Sequence, residues 1–296
     1  MSEHLDRVAL RRLWEVAIAE DGADRDITSE VAIEPTAQGI ARVMAKAAGV
    51  MAGNPVFDLL REAYPALTVE SNIADGTSFE KGQTLCTIEG PLRQLLGIER
   101  TLLNFLQRLC GVATLTRRYV EAVKGTPARI YDTRKTIPGW RQLDKYAVRC
   151  GGGHNHRMGL HDAILIKDNH IAGVPTERLA AHVFELLNTA ASLMPPPHFV
   201  EVEVDTLDQL AQVLKVVGVD VILLDNFTPA QIRQAVELRA AAGVAGRVQF
   251  EASGGVQLDA LRAIAETGVE RIAVGAITHS APALDINMEI DRVRAG

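Results

Sequence analysis

FVEVEVDTLDQLAQVLKVVGVDVILLDNF, residues 199–227, reads as strand, helix and strand in succession. Its opening alternates, so Glu201 and Glu203 share one face of an extended segment while Val200, Val202 and Val204 share the other, the face that packs beneath helices. Leu207 to Val216 has helical character, and VILLDN closes the unit near an acid, Asp225. Two strands joined through a helix lie parallel, with a right-handed crossover.

The pattern continues on both sides. ARIYDT, AILIKD, VQFEAS and RIAVGA are further apolar runs, and helical stretches at Glu177 to Leu193, Pro229 to Ala242 and Leu258 to Thr267 fall between the later ones. The runs end on groups able to do chemistry: Asp132 followed by Arg134, Lys167 with Asp168, Glu203, Asp225, and Ser253. In a parallel barrel such positions converge on one mouth, at the C-terminal ends of the strands. Six strands are readable where a complete barrel has eight, so the expected fold is an incomplete α/β barrel of TIM type.

Toward the N-terminus the pattern is α+β. A helix is predicted near Leu5 to Glu20, extended chain over Gln38 to Lys46, a helix after Asn54-Pro55, and strands at Leu67 to Ile73 and Gln83 to Glu89. Turn signals at Asp75-Gly76 and Lys81-Gly82 separate these pieces. From Pro91 to Lys124 apolar residues recur at helical spacing, with Gly97 and Gly111 as candidate interruptions.

The 296 residues, 47% hydrophobic and 23% charged, suffice for a barrel and a smaller companion. A net charge of -6 argues against nucleic acid or an anionic membrane as partner, so any anionic ligand must meet a local basic cluster. The N-terminal stretch has no apolar core of a signal peptide, and no run is long and apolar enough to span a bilayer, so a cytoplasmic protein is expected. Cys86, Cys110 and Cys150 are far apart and form no CxxC pair, which reads as free thiols.

The basic cluster lies in Asp132 to Ile171, where Arg134, Lys135, Arg141, Lys145, Arg149, Arg157 and Lys167 outnumber the acids. Arg134 and Lys135 follow a barrel strand directly, where a guanidinium can grip a carboxylate or phosphate at two points. Gly151-Gly152-Gly153 runs into His154, His156 and Arg157, the last two available as donors to a carboxylate. His154, His156 and His161 as a metal site is the alternative. Glu201 and Glu203 read either as buried ion pairs or, for Glu203 with Asp225, as a holder of hydroxyls or hydrated magnesium. Lys167 as a Schiff-base amine remains open. SGGV at Ser253 to Val256, read as opening a helix, and VGA at Val274 to Ala276 offer backbone N–H groups in late loops, where such barrels bind phosphate.

IERTLLNFLQRLCGVAT, DTRKTIPGWRQLDKYAVRCGGGHNHRMGL, LIKDNH, EVEVDT, LLDNF, SGGV and VGA, in this order from Ile98 to Ala276, resemble the quinolinate phosphoribosyltransferase family. Departures are small: Cys110 stands where serine is common, Ile137 and Trp140 replace more usual residues, and Asp205 follows EVEV where glutamate is frequent. The resemblance implies an N-terminal α/β sandwich domain over residues 1–112, a barrel over 113–277, and a segment 278–296 that packs back on the first. It implies a decarboxylating transfer from phosphoribosyl pyrophosphate to quinolinate, giving nicotinate mononucleotide for NAD synthesis. Arg134, His156, Arg157 and Lys167 would hold quinolinate, with Arg100 entering from a neighbouring subunit of a dimer or a larger assembly such as a hexamer. Thr133, Lys135, Glu203, Asp225, Ser253, Gly254, Gly255, Val274, Gly275 and Ala276 would hold the sugar donor. Magnesium would sit near Glu203 and Asp225, with Lys135, Lys167, Glu203 and Asp225 as the catalytic groups.

Overall fold

In chain order the strands are β1 (Gln38–Ala45), β2 (Gly49–Val50), β3 (Thr68–Ser71), β4 (Ser78–Phe79), β5 (Thr84–Pro91), β6 (Arg129–Tyr131), β7 (Ile164–Ile166), β8 (Val200–Val204), β9 (Val221–Asp225), β10 (Gln249–Ser253), β11 (Arg271–Ala273) and β12 (Ile286–Arg294). The structure, a computed structural model, describes residues 5–294, so the outermost residues of the two expected terminal segments, 1–4 and 295–296, lie outside it. The chain divides into two compact units: Met1–Arg117 with Lys135–Gly152 and Ala276–Gly296, and Arg118–Arg134 with Gly153–Gly275.

In the first unit an antiparallel sheet runs in the order β12-β1-β5-β3, with β2 and β4 paired separately. β12 pairs along β1 from Gln38↔Arg294 to Ala45↔Ile286, which ties the end of the chain to its beginning. β1 alternates, with Ala41, Val43 and Ala45 fully buried. The helix Leu92–Ala122 is unbroken. Its glycines are therefore not interruptions but points of close approach: a Cβ on Gly97 would lie 2.8 Å from the carbonyl oxygen of Ala23, and one on Gly111 only 2.1 Å from that of Pro282. Leu284 N–H donates to the Gln107 carbonyl at 2.9 Å beside this contact, so the C-terminal segment is held on the helix. Gly111→Ala is expected to destabilise the protein by about 1–3 kcal/mol despite alanine's better helix propensity, because main chain must move to admit the methyl. A urea midpoint equal to wild type would refute this.

Lys135–Gly152 belongs to the first unit, whereas the sequence grouped it with the barrel. The reason is the helix Arg141–Cys150, which buries Leu143, Ala147 and Val148. Trp140 packs on Phe105 with ring centroids 4.8 Å apart, and Phe105 packs in turn on Trp14 at 5.6 Å. Asp144, fully buried, receives Arg108 Nε and Nη2 at 3.0 Å each.

The second unit holds β6 to β11 in one parallel sheet of order β6-β11-β10-β9-β8-β7. The expected alternation is observed: Val202, Val204, Ile222, Leu224, Phe250, Ala252 and Ile272 are buried on one face, and Glu201, Glu203, Glu251 and Arg271 on the other. β6 and β7 end the sheet without pairing to each other among the described residues, so the barrel is incomplete. On its free side β6 gains a single parallel bridge, Tyr131 with His154. The helices are shorter than the sequence suggests, Leu207–Val213 and Leu261–Ala265 among them, and SGGV does not open a helix: the next begins eight residues after Ser253, at Leu261. No helix among the described residues is long and apolar enough to cross a membrane.

Candidate functional site

The mouth of the second unit is built from the loops that follow its strands. After β6, Asp132 is fully buried and accepts the His156 N–H at 2.9 Å and the Asn155 side-chain amide at 2.6 Å, which fixes the His154–Arg157 segment beside that strand. Arg134 is exposed two residues on. Arg157 is 7% exposed and donates through Nη1 to the Ala163 carbonyl at 3.2 Å. Burial, then the proximity of Arg134, pushes its pKa down. Two guanidiniums brought together this way favour an anion between them.

His156 lies beneath, 6% exposed, with Nε2 2.8 Å from Glu201 Oε2 and 3.4 Å from Glu251 Oε1. Glu251 also receives Arg271 Nε at 2.7 Å, and the Arg271 guanidinium lies 3.9 Å from the Tyr131 ring centroid. Burial opposes charge on the imidazole, but the two carboxylates outweigh it and raise the His156 pKa to about 9. The Arg157 N–H contact to Nδ1 at 2.8 Å pulls the other way, since it needs a lone pair there. The carboxylates win, because one neutral hydrogen bond is worth about 1 kcal/mol and an uncompensated buried charge about 3–5. Glu201 is 2.8 Å from Nε2, yet neither of its oxygens has a well-aligned donor, and burial followed by repulsion from Glu251 raises its pKa.

These three ligand-type atoms lie close enough for a metal, and they are the only such group among the described residues. With Arg271 already present, however, one guanidinium and one imidazolium balance the two carboxylates, so a proton does the work of a cation. The three-histidine alternative is not observed: His154 stacks on Tyr131 at 5.2 Å and His161 is exposed beside Gly159.

Acids gather at the ends of β8 and β9. Lys167, after β7, donates to Glu203 Oε2 at 2.7 Å, joining two residues that the sequence assigned to different substrates. Burial, then Glu203 and Asp205, raises the Asp225 pKa; burial, then Glu203 and Asp168, raises that of Asp205. Glu203, Asp205 and Asp225 are hard oxygen donors of the type a divalent cation takes, but they do not converge into a three-ligand group among the described residues. Sequence reasoning missed Asp205 as a site residue, although its place directly after β8 marked it, and missed Glu251 and Arg271, which alternation placed in the lumen.

After β10, Gly254 and Gly255 adopt φ of 95° and 54°, and Val274 N–H donates to Tyr131 O at 2.9 Å before the half-buried turn at Gly275. The N–H groups after Ser253 are thus presented by a loop rather than by a helix end, a form of backbone able to receive an anion. Thr133, half-buried just after β6, stays with the second unit, and Arg100, Lys135 and Ala276 belong to the first. Arg100 is exposed on the helix Leu92–Ala122, and Ala276 begins the short helix Ala276–His279. Lys135 is exposed, its carbonyl accepting from Thr278 Oγ1 at 2.7 Å. Arg141, Lys145 and Arg149 lie on the helix Arg141–Cys150 of the first unit, with Lys145 fully buried, whereas Arg134, Arg157 and Lys167 belong to the second.

Two family models match the chain: quinolinate phosphoribosyl transferase, N-terminal domain, over residues 26–110, and C-terminal domain, over residues 112–289. A probable nicotinate-nucleotide pyrophosphorylase [carboxylating] of Bacillus subtilis (strain 168) is 38% identical over 97% of this chain and 95% of its own. A nicotinate-nucleotide pyrophosphorylase [carboxylating] of Mycobacterium leprae (strain TN) is 41% identical over 90% and 91%. The solved nicotinate-nucleotide pyrophosphorylase of Francisella tularensis superposes with a TM-score of 0.87 at 34% identity, covering 98% of each chain.

Proposed function

The chain belongs to the quinolinate phosphoribosyltransferase family and converts quinolinate and phosphoribosyl pyrophosphate to nicotinate mononucleotide, pyrophosphate and carbon dioxide, and from that premise we propose how its residues divide the work. The observation that carries the division is the polarity of the mouth: Arg134 after β6 and Arg157 in the segment fixed beside that strand by Asp132, acids after β8 and β9, and a glycine loop after β10.

Arg134, Arg157 and Lys167 hold the two carboxylates of quinolinate, and His156 acts as the charged floor beneath Arg157. Arg100 reaches the same substrate from a second copy of the chain, so the working form is a homodimer with shared sites. Thr133 and Lys135 meet the pyrophosphate, Glu203 and Asp225 the ribose hydroxyls, and Ser253, Gly254, Gly255, Val274, Gly275 and Ala276 the 5′-phosphate. Magnesium would be held at Glu203 and Asp225, where it would supply charge neutralisation for the leaving pyrophosphate.

Lys135 stabilises the negative charge that grows as the pyrophosphate departs, while the acids face the positive charge left on the ribose. The basic clamp holds the pyridine nitrogen toward that carbon, and attack makes the nitrogen quaternary. The adjacent 2-carboxylate is then lost as carbon dioxide, its bonding electrons stabilised by the cationic ring, and a proton replaces it. On this reading the Lys167–Glu203 pair opens as substrates enter and each partner takes its own. The enzyme meets these soluble substrates in the cytoplasm.

The test is release of labelled carbon dioxide from quinolinate carrying the label in its 2-carboxylate, with magnesium. Release is expected only with the sugar donor present. Arg100→Ala and Arg134→Ala are each expected to be inactive alone and to regain activity when subunits are exchanged. Absence of rescue would count against the shared site.

A further inference from the structure

Asn226 is the only residue other than glycine with positive φ among the described residues, at 55°. Glycine adopts this conformation at no steric cost, so an asparagine there invites a question about its side chain. Its backbone N–H donates to the Ser253 carbonyl at 2.9 Å, one step beyond the Asp225↔Ser253 pair that ends the β9–β10 ladder. Its side-chain amide donates to Asp225 Oδ2 at 2.7 Å. Its Oδ1 sits where a side chain on Gly254 would go: a Cβ there would lie 2.1 Å from Oδ1 and 2.9 Å from the Asn226 nitrogen.

One residue thus touches both groups assigned to the sugar donor, the carboxylate after β9 and the first glycine of the loop after β10. We propose that Asn226 is a positioning residue for phosphoribosyl pyrophosphate, locking Asp225 and the Ser253–Gly255 loop into one preset piece. This rests on the placement of the sugar donor given above. The amide directs Oδ2 of Asp225 and leaves Oδ1 for the ligand, while Gly254 must remain a glycine because the amide occupies its side-chain space. Quinolinate meets none of these atoms.

Steady-state kinetics on the full-length enzyme, each substrate varied in turn with magnesium present, tests the idea with Asn226→Gly and Asn226→Asp, and with Asp225→Asn and Ser253→Ala as controls. Asn226→Gly keeps the left-handed backbone and removes only the amide. Its KM for phosphoribosyl pyrophosphate is expected to rise about tenfold, the change that accompanies loss of one hydrogen bond to a charged group. KM for quinolinate and the melting temperature should stay near wild type. Asn226→Asp keeps the shape but sets a second carboxylate against Asp225, and should be worse. If the controls raise KM for the sugar donor and Asn226→Gly does not, Asn226 is a turn residue only and the proposal alone falls. If the controls leave it unchanged too, the placement of the donor falls and takes the proposal with it.

Discussion

Arg157→Ala is expected to lower kcat/KM for quinolinate by about a thousandfold, equivalent to about 4 kcal/mol, while leaving the affinity for phosphoribosyl pyrophosphate nearly unchanged. The size follows from the setting. Arg157 is 7% exposed, so its bonds to a carboxylate form away from water, where charge-assisted hydrogen bonds contribute about 1.5–3 kcal/mol each. The guanidinium is also anchored by Nη1 to Ala163 O, and the residue's backbone N–H is fixed on His156 Nδ1, so little side-chain entropy is lost when substrate arrives. Relief of its repulsion with Arg134 adds to the preference for a dianion. Arg157→Lys keeps the charge but loses the fork and should recover only part of the activity. Initial rates with each substrate varied decide the matter: equal losses for both substrates would contradict the assignment and indicate a collapsed mouth.

Much of this was legible in the sequence because strand periodicity is local. Alternation in FVEVEV placed Glu201 and Glu203 in the lumen, where they are found, and the six apolar runs became the six strands of the incomplete barrel. What was not legible depended on partners distant in the chain. The helix Arg141–Cys150 goes with the first unit because Asp144 answers Arg108 and Trp140 answers Phe105, facts no local pattern carries. His156 looked like a substrate donor, but its orientation is set by Glu201 and Glu251, far along the chain and brought together only by the parallel sheet. Gly111 looked like a helix breaker because sequence shows its low helix propensity and not the Pro282 carbonyl against it.

Glu251→Gln should destabilise the protein by about 3–5 kcal/mol, because it leaves the buried Arg271 guanidinium without its countercharge while the imidazole loses one of two carboxylates. Burial works against the Glu251 charge, and His156 and Arg271 overcome it, holding its pKa below the ordinary carboxylate range. The same network makes stability depend on pH on the alkaline side. His156 has its folded pKa raised to about 9 from 6.5, so its contribution is complete below pH 6.5 and is lost as pH rises through about 9. That shift corresponds to about 3 kcal/mol. Urea unfolding of the wild type at pH 6, 7.5 and 9.5 should therefore show a falling free energy that Glu251→Gln flattens, because a single remaining carboxylate holds the imidazolium less firmly. A wild-type stability that does not change across this range would mean that His156 is neutral throughout. The main-chain contact at Nδ1 would then govern its state, and the floor beneath Arg157 would act by shape rather than by charge.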